Sequence, residues 1–379
     1  MKNDNTSYER YQRQVILKEF GEAGQQKLLK AKALVIGAGG LGCPALQYLA
    51  AAGVGNIGIV DDDVVSITNL HRQPLYNTMD IGFAKAGKAK HALARLNPEI
   101  NITAYPDRLT TSNALDIIEA YDVVIDGTDN FATRYMINDA CVLLNKPLVY
   151  GAVSQFEGQV AVFHHRMPTG EYSVNYRHLF PNPPKQGEVL SCAEAGVLGV
   201  LPGIIGTMQA NETIKLITGM GELLINSILT YNALTNHTYE IGIPATTEAE
   251  SMVPASAAAF KQMDYQLLCS SVQPDGGFEI DAIHFDTLLN KEAVEIIDVR
   301  ETHEWPLPTG FNYKRISLMQ LKEAMPAIKS NTVIVFCQSG KRSLQAAQWL
   351  FDEFGESKKI YSLQGGIIQW INNHSTAQV

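Results

Sequence analysis

Residues 37–42 read Gly-Ala-Gly-Gly-Leu-Gly, a G-x-G-x-x-G spacing. Glycines there let the backbone turn tightly and approach a phosphate, and the helix N-terminus that follows offers partial positive charge. Gly37, Gly39, Gly40 and Gly42 are the candidate contacts. Asp61 ends a short apolar run, where a carboxylate would grip ribose hydroxyls. These residues alone leave a nicotinamide-dependent dehydrogenase open. The next ones shift the balance. DDVVSITNLHRQ delivers Asn69, Arg72 and Gln73, Lys85 follows, and DGTDNFATR brings Asp126, Asp129 and Asn130. Arg and Lys neutralise a triphosphate, and a carboxylate beside it suits Mg²⁺, which takes hard oxygen ligands. Hydride transfer has no evident need of that equipment. The competing reading makes Arg72 and Lys85 surface charges and Asp129 a helix cap.

A second centre lies near the other end of the chain. Cys337 opens CQSGKRS, where a buried strand ends and a helix is about to begin. Such a loop aims backbone N–H groups at the sulfur, and Lys341 and Arg342 add positive charge, so a thiolate or persulfide anion is stabilised. Gln338, Ser339, Gly340, Lys341, Arg342 and Ser343 form the candidate cradle. The plain alternative is a small buried hydrophobe, the usual state of a free cysteine.

Elements to hold these residues are legible around them. Ala33–Ile36 and Ile57–Val60 are expected strands, and Leu41, Ala45, Tyr48, Leu49 and Ala52 form one helical stripe between them. Strand, crossover helix and strand make a right-handed βαβ unit. Further strands are expected at Val123–Ile125, Leu148–Tyr150 and Gln159–Phe163, hence a doubly wound, Rossmann-like α/β sheet. A charged helical segment with Arg10, Arg13 and Gln14 precedes it. A smaller α/β domain follows, with strands at Val294–Ile297, Thr332–Phe336 and Ile360–Ser362. Between them, PATTEAESMVPASAAA has the small, proline-bearing composition of a linker. The expected layout is therefore residues 1–243, a linker over 244–277, and residues 278–379.

Bulk composition narrows the class. A chain of 379 residues matches about two domains of roughly 150 residues. With 46% hydrophobic and 18% charged residues, it can bury a core, which rules out general disorder. A net charge of −9 argues against nucleic-acid binding through bulk positive charge. The most apolar stretch, 195–205, is interrupted by three glycines and a proline and is shorter than a membrane span, so no membrane association is expected. The five cysteines are scattered and never in a CxxC pair, which argues against disulfides or a cysteine-rich zinc site, and no apolar signal core opens the chain. The expected location is cytoplasmic.

RYQRQ, the glycine motif through NLHRQ, GTDNFATRY and CAEAGVLGVLPGIIGTMQANETIK together resemble the MoeB/ThiF family, bacterial relatives of ubiquitin-activating enzymes, over roughly residues 8–242. The resemblance implies adenylation by ATP of the C-terminal Gly-Gly carboxylate of a small ubiquitin-like sulfur-carrier protein. It implies that Gly40, Asp61, Asn69, Arg72 and Lys85 hold ATP and that Asp129 binds Mg²⁺ with Asn130 beside it. It further implies a homodimer in which Arg13 reaches the γ-phosphate in the other subunit. One departure is plain. The family often carries CYRCLFPEPP, but here Asn175 and His178 stand at the first zinc-cysteine pair, and EIGIPATTEAE lacks the second. Structural zinc wants four thiolate or imidazole ligands, so none is expected.

IIDVRETHEW, CQSGKRS and LQGGIIQW resemble rhodanese domains over most of 278–373. That implies sulfane sulfur carried on Cys337 as a persulfide, loaded by a donor such as a cysteine desulfurase. Cys-dependent phosphatases resemble one another in having five residues between Cys and Arg; here four separate Cys337 from Arg342, a smaller ring that favours sulfur over phosphate. Asp298 and Arg300 are expected to buttress the loop. Cys192, in EVLSCAEAGVLG, is expected on a crossover loop reaching the adenylation site, with a covalent link to the carrier open and a packing role its alternative. An NAD-dependent oxidoreductase and a non-catalytic sulfur-carrier scaffold remain the rival functions.

Overall fold

The computed structural model describes residues 5–183, 195–265, 268, 278–289 and 294–375. It forms two compact units, Met1–Cys269 and Ser270–Val379.

The first unit is built on an eight-stranded sheet in the order β3-β2-β1-β4-β5-β6-β7-β8. These strands are Asn101–Tyr105 (β3), Asn56–Val60 (β2), Lys32–Ile36 (β1), Val123–Asp126 (β4), Leu148–Ser154 (β5), Glu157–Phe163 (β6), Ser227–Asn232 (β7) and His237–Gly242 (β8). From β3 to β5 every pairing is parallel, and from β5 to β8 antiparallel. The βαβ unit and the doubly wound sheet are as the sequence implies. Both faces are covered. Along β1, Ala33 and Val35 enter one core and Leu34 and Ile36 the other. This is why a parallel strand reads as an unbroken apolar run rather than an alternating one. Strand order reverses between β1 and β4, and a crevice for ligands opens at such a switch point, at the carboxyl ends of the strands.

Residues 244–277 are not a free linker over their described part. Short helices form at Thr247–Ser251 and Ala257–Gln262, capped by Thr246 and Ser256, and Ala249, Phe260 and Tyr265 are buried. The composition is small-residue and proline-rich, but Phe260 and Tyr265 just beyond it supply apolar anchors, with ring centroids 5.8 Å apart. Tyr265 Oη donates to Asp139 Oδ2 at 2.8 Å, and Arg177 bonds the same carboxylate through Nε at 2.8 Å and Nη2 at 2.6 Å.

Asn175 and His178 have a local task. Asn175 Oδ1 accepts from the N–H of Arg177, and His178 Nδ1 accepts from the N–H of Asn175, a reciprocal cap on the turn Tyr176–Leu179. Arg177 on that turn is 3% exposed and its partner Asp139 is fully buried. Removing one member of such a pair strands an uncompensated charge. Arg177→Met is therefore expected to destabilise the first unit by about 3–5 kcal/mol in urea unfolding, and adding Asp139→Leu should recover much of the loss. A single substitution costing nothing would show that the pair does not anchor this turn.

The second unit is a five-stranded, all-parallel sheet in the order β11-β10-β12-β13-β9. Its strands are Glu279–Ile280 (β9), Val294–Asp298 (β10), Lys314–Arg315 (β11), Thr332–Phe336 (β12) and Lys359–Leu363 (β13). Among the described residues, no helix is long and apolar enough to cross a membrane.

Candidate functional site

In the first unit, the carboxyl ends of β1, β2 and β4 enclose a cleft of about 400 Å³. Gly37 leaves β1 with φ +91°, and a Cβ there would lie 2.7 Å from the carbonyl oxygen of Gly127 at the end of β4. Only glycine lets the two strand ends meet that closely. Gly39 and Gly40 also line the cleft. Gly42 does not; it begins the helix Gly42–Ala52, and a Cβ on it would strike the Gly37 carbonyl.

Asp61 closes β2 and fastens the glycine loop: Oδ2 accepts from the N–H of Ala38 at 2.7 Å and Oδ1 from that of Asp63 at 2.9 Å. Burial pushes its carboxyl above the usual range, against the opposing pull of Lys85 and these N–H groups. Lys85 starts the helix Lys85–Leu96, and its buried ammonium sits 2.9 Å from Asp63 Oδ2. Asn69, Arg72 and Gln73 line the same wall. Asn69 Oδ1 accepts from the N–H of Ser66, closing a short turn, and Arg72 Nη1 donates to the Thr68 carbonyl at 2.9 Å. Gln73 is 3% exposed, and its buried Oε1 has no hydrogen-bond partner among the described residues.

The wall from β4 answers the capping question. Asn130 Oδ1 accepts from the N–H of Thr133 and caps the helix Phe131–Leu143, so the cap is Asn130. Asp129 lines the cleft, exposed, with no hydrogen bond or ion pair among the described residues. Asp126 is buried beneath it. Its Oδ1 accepts from Thr128 N–H at 2.9 Å and Thr128 Oγ1 at 2.6 Å, and Arg134 Nε lies 3.7 Å from Oδ2. Burial raises the Asp126 carboxyl, with Arg134 and Thr128 opposing.

Ten residues expected from sequence are thus brought together: Gly37, Gly39, Gly40, Asp61, Asn69, Arg72, Gln73, Lys85, Asp129 and Asn130. Arg13 is exposed on the helix Asn5–Val15 and does not line this cleft. Cys192 lies outside the described residues. Asp63, Arg108, Thr128 and Arg134 line the cleft without having been picked out. Arg108 could have been found, since it stands just past β3 at the same sheet edge.

In the second unit, β12 ends at Phe336 and Cys337 follows, fully buried. Gly340, at φ +92°, turns the chain into the helix Lys341–Phe354, whose first N–H groups have no side-chain cap. The second loop closes over the first: Ile367 N–H donates to the Cys337 carbonyl at 2.8 Å. A Cβ on Gly366 would come within 2.5 Å of the Gln338 carbonyl carbon, so LQGGIIQW needs its glycines for this approach. Arg300, 1% exposed, bonds Asp298 through Nε and Nη2, holds the Pro306 carbonyl and lies over the Phe336 ring. Asp298 and Arg300 therefore brace the strand that carries Cys337. Arg342 differs from expectation. Both its Nη atoms bond Glu304 at 2.6 Å, which holds that carboxyl below the usual range. Its charge is matched by that carboxylate, a partner the sequence spacing does not show.

Comparison with known proteins agrees with this division. The ThiF family model matches residues 11–251 and a rhodanese-like domain model matches residues 282–373. A probable adenylyltransferase/sulfurtransferase MoeZ of Mycobacterium tuberculosis is 41% identical over 95% of this chain and 92% of its own length. A sulfur carrier protein adenylyltransferase of Thermus thermophilus is 55% identical over 60% of this chain and 83% of its own. The adenylyltransferase and sulfurtransferase MOCS3 of Culex quinquefasciatus is 36% identical over 98% of this chain and 89% of its own. Among solved structures, E. coli MccB with ATP superposes with a TM-score of 0.54 at 21% identity, over 65% of this chain and 74% of that one, a likeness of fold. With one family model spanning the whole glycine-lined cleft and near full-length relatives carrying both units, the chain belongs to the ThiF family and bears a C-terminal rhodanese-like domain.

Proposed function

We propose that this chain adenylates the C-terminal Gly-Gly carboxylate of a small ubiquitin-like sulfur-carrier protein and then replaces AMP with sulfur carried on Cys337. The observation that carries the reading is one chain holding two sites. One is a glycine-lined cleft with Arg72, Lys85 and Arg108 and the exposed carboxylate of Asp129. The other is a cysteine between a strand and a helix N-terminus. The names of the relatives support the same pair of activities.

The chemistry follows from the leaving groups. A carboxylate is a poor electrophile because oxide would have to leave. Its oxygen attacks the α-phosphate of ATP, pyrophosphate departs, and the acyl-adenylate can then lose AMP. The cleft positions the two reactants in line and neutralises the departing charge through Arg72, Lys85 and Arg108. The buried Gln73 Oε1, which has no partner among the described residues, fits a site that a polar ligand completes. Mg²⁺ would be held through Asp129 and would neutralise phosphate charge. One carboxylate suits an ion that keeps phosphate oxygens and waters as its other ligands, and among the described residues no group of three His, Cys, Asp or Glu could hold a metal. No structural zinc is part of the reading.

In the second step the outer sulfur of a Cys337 persulfide attacks the acyl carbon and AMP leaves; a further thiol then attacks Cys337 Sγ, forming a disulfide with it as the thiocarboxylate departs. Cys192 can take part by first forming a thioester with the carrier. Arg13, exposed on its helix, would serve the cleft of a second copy in a homodimer. A cytoplasmic location, with a cysteine desulfurase as persulfide donor, completes the proposal.

The deciding experiment incubates the chain with candidate carriers ending in Gly-Gly, ATP, Mg²⁺ and a persulfide source, and weighs the intact carrier. Exchange of one oxygen for sulfur is the expected result. An unchanged carrier mass with ATP consumed, or reduction of a nicotinamide cofactor instead, would overturn the proposal.

A further inference from the structure

Beside Cys337 lies a short chain of buried hydroxyl groups. Ser362 Oγ donates to Ser343 Oγ at 2.9 Å, and Ser343 Oγ lies 3.6 Å from Cys337 Sγ and 2.9 Å from the Gly340 carbonyl. All three side chains are fully buried. They come from three separate elements: Cys337 from the end of β12, Ser343 from the first turn of Lys341–Phe354, and Ser362 from β13, where it pairs with Val335. A buried strand position facing apolar neighbours has no general need of a hydroxyl, and placing one there costs free energy unless it is bonded. Ser362 bonds Ser343.

Ser343 has one proton and two acceptors for it. A neutral thiol is a weak acceptor, so the Gly340 carbonyl holds the proton in that state. A thiolate is a strong one, and a charge-assisted bond to it is about twice as strong as a neutral bond. Ser362, by donating to Ser343, fills a Ser343 lone pair and polarises its O–H toward whichever acceptor is stronger. From this geometry we propose that Ser362 is a positioning residue for sulfur transfer, acting through Ser343 to stabilise the Cys337 thiolate.

This rests on Cys337 being the sulfur carrier. The thiolate appears twice in that cycle. On loading from thiosulfate, Sγ attacks the outer sulfur, the S–S bond breaks and sulfite leaves with the electron pair. On release to cyanide, the cyanide carbon attacks the outer sulfur, the bond to Sγ breaks with its electron pair left on Sγ, and thiocyanate departs. A hydroxyl that favours anionic Sγ assists both the attacking and the leaving sulfur.

The test uses the full chain. Ser362→Ala is expected to move the pH–rate profile for iodoacetamide alkylation of Cys337 upward and to slow thiocyanate formation near neutral pH about 3- to 10-fold, the size of one ordinary hydrogen bond, since Ser362 acts on the sulfur only through Ser343. Ser362→Thr, which keeps a hydroxyl at a β-strand position, should restore both. Ser343→Ala should give a shift at least as large, and Ser362→Ala in that background should add nothing. An unmoved pH profile in Ser362→Ala, with unfolding unchanged, would overturn the proposal, and so would an effect that Thr fails to rescue while folding normally. Cys337→Ser measured alongside keeps the two claims apart. If it retains sulfur transfer, the premise has failed; if it is inactive while Ser362→Ala is unshifted, only the relay has.

Discussion

Replacing Cys337 with serine is expected to lower thiosulfate-to-cyanide sulfur transfer by roughly a thousandfold or more, as loss of a covalent nucleophile does, while ATP–pyrophosphate exchange continues near the wild-type rate. The asymmetry follows from the architecture. Cys337 belongs to the second unit and the glycine-lined cleft to the first, each with its own sheet and core. A hydroxyl in place of the thiol is nearly isosteric and stands beside Ser343, so the loop should keep its shape. Persulfide found by mass spectrometry on another cysteine, with none on Cys337, would move the sulfur site. Cys43 and Cys141 are poor competitors. Each is buried in a different core of the first unit, and burial pushes the Cys43 thiol up to about 12 and the Cys141 thiol higher still.

Asp129→Ala should reduce carrier-dependent pyrophosphate exchange on the order of a hundred- to thousandfold, the usual loss when a preorganised electrostatic contact is removed. Unfolding should be unaffected, because Asp129 is exposed and makes no bond among the described residues. Asp126→Ala is the informative control. It would strip the acceptor from Thr128 and leave Arg134 without its buried counter-charge, so it should lose stability as well as activity. If Asp129→Ala exchanges pyrophosphate at the wild-type rate, the metal-binding carboxylate has been assigned to the wrong residue.

Much of the adenylation site was legible because its residues sit at strand ends. Apolar runs bounded by glycine or aspartate mark β1, β2 and β4, and parallel strands bring their carboxyl ends to one edge, so Gly37, Asp61 and Asp129 had to converge once the βαβ pattern was read. The rhodanese loop was legible for the same reason, from β12 running into Cys337. β3, β7 and β8 were harder to see. Polar or exposed positions interrupt them, and the exposed edge strand His237–Gly242 has no buried face to impose alternation.

What composition misread was the stretch after Pro244. Small residues and prolines signal a linker only if nothing nearby can anchor them, and Phe260 and Tyr265 do. Whether an aromatic docks is a property of the surface it meets; here that surface includes Asp139 and Tyr265's own hydrogen bond to it, 126 residues away in sequence.

Residue identities, strand ends and glycine spacing determined which two chemistries this chain could carry and which elements would present them. Tertiary structure alone decided how the charges are shared. Asp63 takes Lys85, Glu304 takes Arg342, Asn130 rather than Asp129 caps its helix, and Ser362 reaches Cys337 through Ser343. Sequence order is silent on most of these pairings because hydrogen bonds and ion pairs reach only about 3–4 Å, and which groups come that close is set by strand register and helix placement across tens of residues.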